Sequence, residues 1–196
     1  MQVSVTVFDV KEKRAKWEEF EKNCDVNHLV FLDESGVNTN MTRLYGRGIG
    51  KARVEDHAPL NTPKTTTVLS SIRLDGSRAT TTYSGGTTGE KFVDYLKSTL
   101  IPTLKPGDIV VMDNLRSHHV DAVKKAFEGT EFQIAYLPPY SPDFNPIEKM
   151  WSKMKSIMRK LKVRDLEKLP STILTALSLV TTTDVIHWFA SCGYCQ

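Results

Sequence analysis

Apolar residues in this chain follow two patterns, and the alternation between them predicts the elements. Leu29-Val30-Phe31-Leu32 and Ile109-Val110-Val111-Met112 are short unbroken apolar runs, as expected of strands buried on both faces. Residues 65–74 and 77–83 are rich in Thr, Val and Ile and flank Asp75-Gly76, a hairpin turn signal. Phe132 to Leu137 reads as a further strand. Helical spacing takes over elsewhere. Residues 9–23 form a charged lead-in helix with Trp17 and Phe20 three apart. Thr87-x-x-Glu90 has the form of a capping box ahead of a helix whose apolar face is Phe92, Val93, Leu96 and Leu100. Pro102 and Pro106-Gly107 end it. Ser117 is a candidate cap for a helix through Phe127 that stops at Gly129. A long helix is expected from Pro146 to about Leu161, and two short ones within 165–190. Residues 37–64 lack a clear period, hold Gly46, Gly48 and Gly50, and read as loop with at most one short strand.

The resulting order of strand, hairpin, helix, strand, helix, strand, helix is a mixed α/β plan. At 196 residues and 40% hydrophobic, the chain can bury one sizeable core with a short appendage. The economical division is a lead-in helix or linker over 1–25, a main domain over 26–163, and a C-terminal helical extension over 164–196. No apolar run approaches membrane-spanning length, and Met1-Gln2-Val3 begins nothing like a signal peptide. A soluble, cytoplasmic protein with no membrane partner is the expectation, associated with the nucleoid if the source is bacterial. Three cysteines is an odd count, which argues against a disulfide framework.

Charge adds more through its placement than through its net value of +3. The first 36 residues hold eight acids against five bases, whereas Glu148 to Lys168 holds eight bases against three acids. A basic stretch beside an acidic cluster suits a polyanionic substrate, although a lone charge run is also what a solvated helix face looks like.

The acids with chemistry to offer are Asp33, Asp113 and Glu148. Two of them end buried strands, and the third opens a helix. Carboxylates gathered at strand ends and a helix start, without thiolates or an imidazole cluster, suit hard cations such as Mg²⁺ or Mn²⁺. Brought together without cations they would repel one another and raise their pKa values, at a cost in stability.

The blocks around these acids read FLDESG, DNLRSHH and YSPDFNPIE, with 34 residues between Asp113 and Glu148. In order and at that spacing they resemble the catalytic (DDE) domain of mariner-type transposases and their bacterial insertion-sequence relatives. The ending WFASCGY is similar to the family's C-terminus, and the likeness runs from about His28 onward. The resemblance implies a ribonuclease H-like fold, a mixed central sheet flanked by helices. In that fold the strands bearing Asp33 and Asp113 lie side by side and parallel, with the Glu148 helix start nearby. It implies two Mg²⁺ (or Mn²⁺) ions per active site held by Asp33, Asp113 and Glu148, cleavage at transposon ends, and transfer of the freed 3′-hydroxyl into target DNA. The expected partners are DNA, a second copy in the DNA complex, and a separate N-terminal DNA-binding polypeptide or region. Family members carry an N-terminal helix-turn-helix, for which the residues before Asp33 leave no room. Two alternatives stay open: a nuclease of the same fold without strand transfer, and a catalytically inactive DNA-binding module.

Each candidate also has a plainer reading. Asn145-Pro146-Ile147-Glu148 is a good helix start for purely structural reasons, with Asn at N-cap and Glu at N3. Asp143 is a rival ligand that breaks the family spacing. Glu34 should point to the face opposite Asp33. Asn114, His118 and His119 are candidates to sit near the reaction centre, a histidine at this point being common in the family. Rotation of about 100° per residue sets Ser152, Lys155, Arg159 and Lys162 in line with Glu148, a row suited to DNA phosphates. Two patterns are set aside. Gly46-Arg47-Gly48-Ile49-Gly50-Lys51 has the wrong spacing for a phosphate-binding loop, and Cys192-x-x-Cys195 with His187 shows no fourth zinc ligand.

Overall fold

A computed structural model describes residues 7–43, 45–50, 53–60, 65–113 and 123–194. Five strands form one mixed sheet in the order β3-β2-β1-β4-β5. They are β1 (Leu29–Val37), β2 (Thr66–Ile72), β3 (Thr80–Ser84), β4 (Ile109–Met112) and β5 (Gln133–Tyr136). The antiparallel β1-β2-β3 meander is followed by β4 parallel to β1 and β5 parallel to β4. The apolar run at 29–32 extends into a nine-residue strand, because Asp33–Val37 pairs with β2 as far as Thr66. At the hairpin between β2 and β3, Gly76 takes φ +84 and donates to the Arg73 carbonyl, while Asp75 accepts from the Ser77 amide.

Alternation along β1 sorts its side chains onto two cores. Leu29 and Phe31 join the larger cluster, with Val111 of β4 and the apolar faces of α1 (Val7–Asn23), α4 (Pro146–Leu161), α5 (Leu169–Ser178) and α6 (Thr182–Ser191). Val30 and Leu32 face the other way, with Val110, Met112, Phe92 and Tyr95 of α2 (Gly89–Tyr95), and α3, which is described over 123–127. The helix expected from Pro146 has those bounds, and its stripe of Ile147, Met150, Trp151, Met154 and Met158 is buried. Trp17 of the lead-in helix is only 7% exposed and lies in the larger core.

Two sequence expectations shift. Thr88, not Thr87, caps α2 by accepting from the Lys91 amide, so no capping box with Glu90 forms. The same helix does not run regularly to Leu100: it widens to a π turn at Leu96–Leu100 and tightens to a 3₁₀ turn at Ile101–Thr103. Pro102 has no amide hydrogen, which breaks the regular ladder there. Among the described residues of 38–65 there is no strand. The helix start expected at Ser117 lies outside the described residues. No single described helix is long and apolar enough to cross a membrane.

Candidate active site

The parallel pairing of β1 and β4 sets Leu32 opposite Met112, so Asp33 and Asp113 are the next residues on neighbouring strands. Alternation decides which way they face. Phe31 and Val111 point to the larger core, Leu32 and Met112 away from it, and the two aspartates return to the α4 side. There the indole Nε1 of Trp151 donates to Asp33 Oδ2 at 3.0 Å, and the Glu34 amide donates to Oδ1 at 2.7 Å. Glu34 points to the opposite face as expected, where the Thr87 hydroxyl donates to its carboxylate.

Glu148 reaches the same edge from the first turn of α4. Asn145 is the N-cap, but its side chain makes no capping bond, and only the backbone closes the turn, from the Glu148 amide to the Asn145 carbonyl at 3.2 Å. No capping box forms, so the Glu148 carboxylate is not spent on the helix end. Asp143 is excluded as its rival. Arg14 holds both its oxygens, at 3.0 and 2.6 Å.

All three carboxyls are harder to ionise than free ones. Desolvation pushes Asp33 up to about 7, with repulsion from Glu148 and Asp113 adding to it. Desolvation also raises Asp113, and it raises Glu148, where Asp113 adds repulsion and Lys155 partly offsets it. Among the described residues, no three His, Cys, Asp or Glu side chains are grouped so as to ligate a single ion. Mg²⁺ does not require such a cage: it is commonly held by one or two carboxylates, with waters and substrate phosphate filling the rest. Three mutually repelling oxygen donors, none of them ion-paired with a described base, fit hard divalent cations.

Residues 28–170 match the family described as DDE superfamily endonuclease. The chain belongs to that family. No curated protein matches it in sequence. Among solved structures, the Mos1 transposase paired-end complex with left transposon end is similar at TM-score 0.73 and 13% identity, over 97% of this chain and 60% of that one. The catalytic domain of Mos1 mariner transposase is similar at TM-score 0.64 and 12% identity, over 97% and 91%. The Mos1 mariner paired-end complex with Mn gives 0.69 and 14%, over 92% and 57%. The chain thus has the ribonuclease H-like fold, and it spans about 60% of the length of the paired-end Mos1 chain.

The other candidates divide. Lys155 is close enough to Glu148 to lower its pKa, as the helical row required. Ser152 is exposed and Arg159 half-exposed along the same helix. Lys162 is a correction. It lies beyond the helix as a left-handed C-cap, φ +49, and its ammonium is held by Asp56 at 2.7 Å. Helical rotation stops applying once the backbone leaves the α region, which is why the extrapolated row fails at its last member. Asn114, His118, His119 and Cys195 lie outside the described residues.

Sequence reasoning missed the frame that fixes the turn before Glu148. Arg14 donates to Ser141 Oγ at 2.7 Å as well as to Asp143, and its guanidinium lies 4.2 Å from the centre of the Phe144 ring. Tyr194 Oη accepts from Trp17 Nε1 at 2.9 Å and donates to the Phe144 carbonyl at 2.7 Å. The lead-in helix and the C-terminus therefore meet on the segment that delivers the third acid. The only available signal was the C-terminal WFASCGY block. Its partner Trp17 is 177 residues away.

Proposed function

We propose that this chain is the catalytic domain of a DNA transposase, cutting phosphodiester bonds at transposon ends and joining the freed 3′-hydroxyl to target DNA. The observation that carries the reading is the meeting of Asp33, Asp113 and Glu148 at one sheet edge with all three pKa values raised. Residues 26–163 form the catalytic unit in this reading, with 164–196 as its helical extension. Asp33, Asp113 and Glu148 would hold two Mg²⁺ or Mn²⁺ ions, which when bound supply an activated oxygen nucleophile and stabilise the leaving oxygen.

The chain's own residues do the positioning. Trp151 orients the Asp33 carboxylate toward the edge, and the α4 backbone presents Glu148 beside it. Lys155 and Arg159 sit about two and three turns further on to meet phosphates leading to the cut. Reading of the terminal repeats is assigned to a separate N-terminal region or polypeptide, and pairing of two ends to a second copy. The structures of similar fold include Mos1 paired-end complexes with Mn and with Mg.

Calorimetric titration with Mn²⁺ and nicking of supercoiled plasmid test the metal assignment. Asp113→Asn and Glu148→Gln should each weaken Mn²⁺ binding at least tenfold and abolish nicking. Unchanged binding and nicking in both variants would overturn it. Joining of a 3′-hydroxyl duplex end to the plasmid distinguishes a transposase from a plain nuclease, which would cut without joining.

A further inference from the structure

A groove of about 620 Å³ runs between α4 and α6, beside the Glu148–Lys155 row, with which it shares Ser152. Lys149, Lys153, Lys160 and His187 line it, together with the hydroxyls of Ser152 and Ser156. Its one acid, Asp184, is already paired with Lys153 at 2.5 Å and serves as N3 of the α6 capping box. Lys149 and Lys160 form no ion pair with any described residue. The groove is therefore a concave, net-positive surface edged with hydroxyl donors.

We propose that this groove is a second contact for duplex DNA, holding the phosphate backbone of a segment beyond the one cut at the carboxylates. The inference rests on the proposed function, since it assumes a DNA substrate. Position favours DNA over an acidic polypeptide, because the groove shares Ser152 with the row that leads to Glu148, so a duplex held at the carboxylates already lies alongside it. Lys149 to Lys160 spans eleven residues of helix, about 16 Å at 1.5 Å per residue. That matches the length over which one DNA strand presents about five phosphates, at 3.4 Å each. Lysines and serines bind evenly spaced phosphates without needing a particular base. Because the α4 face splits into two basic rows, one toward Glu148 and one toward α6, two stretches of backbone can lie along the same helix.

The test is fluorescence anisotropy of a labelled 30-bp duplex over a range of salt concentrations, with the intact chain. Replacing Lys149, Lys153 and Lys160 by Gln should flatten the slope of log affinity against log salt by about 2 to 3, near 0.9 per lost phosphate contact. A control with Lys97, Lys124 and Lys125 replaced by Gln removes equal charge from exposed positions elsewhere and should flatten it by less than 1. Equal slopes for wild type and the groove variant, with both folded by circular dichroism, would overturn the groove and leave the proposed function standing. No duplex binding by the wild type would overturn both. Polyglutamate that competes charge for charge as well as DNA would assign the groove to an acidic polypeptide and overturn the DNA assignment.

Discussion

The Trp151 indole nitrogen donates to Asp33 Oδ2 across the gap between α4 and β1, at 3.0 Å. Trp151 is a stripe residue, 2% exposed, whose ring packs in the larger core while its one polar atom meets the first acid of the site. The helix that supplies Glu148 is thereby tied to the strand that supplies Asp33. Packing and catalytic geometry share a side chain.

Trp151→Phe should show that sharing. A six-membered ring is kept, but the pyrrole part of the indole leaves the core and Asp33 loses a donor that favours its charged form. Stability should fall by roughly 1.5–3 kcal/mol, the range for a hydrogen bond to a charged group. Asp33 should also hold its proton to higher pH, so Mn²⁺ binding should weaken several-fold at pH 7 and recover by about pH 9. Urea unfolding and calorimetry at the two pH values measure both effects. Loss of stability with an unchanged pH profile would make the contact merely structural.

Asp33 also predicts how stability responds to pH without divalent ions. Its folded pKa, about 7, lies above the ordinary 3.8, so the native state binds the proton more tightly than the unfolded chain. The contribution is complete below about pH 4 and is lost as pH rises through 7. In EDTA, Asp33→Asn should therefore be more stable than wild type at pH 8, by about 2 kcal/mol after discounting for partial exposure. The difference should shrink toward pH 4, and saturating Mn²⁺ at pH 8 should reverse it. Thermal melts over that range decide the sign.

Removing a charge at the other end of β4 should behave differently. Asp108 is fully buried and accepts from Arg73 Nη1 at 3.0 Å and from the Lys105 amide at 2.5 Å. Burial alone would raise its pKa, but these donors hold it below the ordinary value. Asp108→Ala leaves the Arg73 guanidinium buried without its counterion, and should cost about 3–5 kcal/mol. It lies at the start of β4 while Asp113 follows the end, so Mn²⁺ affinity of the folded fraction should not change. Denaturant titration beside calorimetry separates the two.

The legible part of this protein was the part written locally. Unbroken apolar runs fixed β1 and β4, and helical spacing fixed α4 from Pro146 to Leu161. With those two runs paired in parallel, the acids that follow them had to meet. What stayed hidden depends on partners far apart in number. Nothing near Asp143 reveals that Arg14 holds it, and nothing near Lys162 reveals Asp56 across the fold. The α2 cap slipped by one residue because Thr87 and Thr88 are both competent. Thr87 is drawn instead to Glu34 and Tyr83.

Tyr194 carries the last prediction, because it acts on Glu148 without touching it. Its hydroxyl joins Trp17 to the carbonyl of Phe144, four residues before the third acid. Tyr194→Phe keeps the ring in its aromatic cluster with Phe31 and Phe189 but leaves a buried indole N–H and a backbone carbonyl unpaired. The cost in stability should be about 1–3 kcal/mol. More tellingly, the 144–148 turn should open more often, so hydrogen exchange at the Glu148 amide, which donates to Asn145, should quicken. Mn²⁺ affinity should drop a few-fold alongside it, whereas Asp108→Ala should speed exchange everywhere and leave affinity intact. If Tyr194→Phe destabilises the fold without changing exchange in that turn or affinity at the edge, the hydroxyl supports the core and not the site.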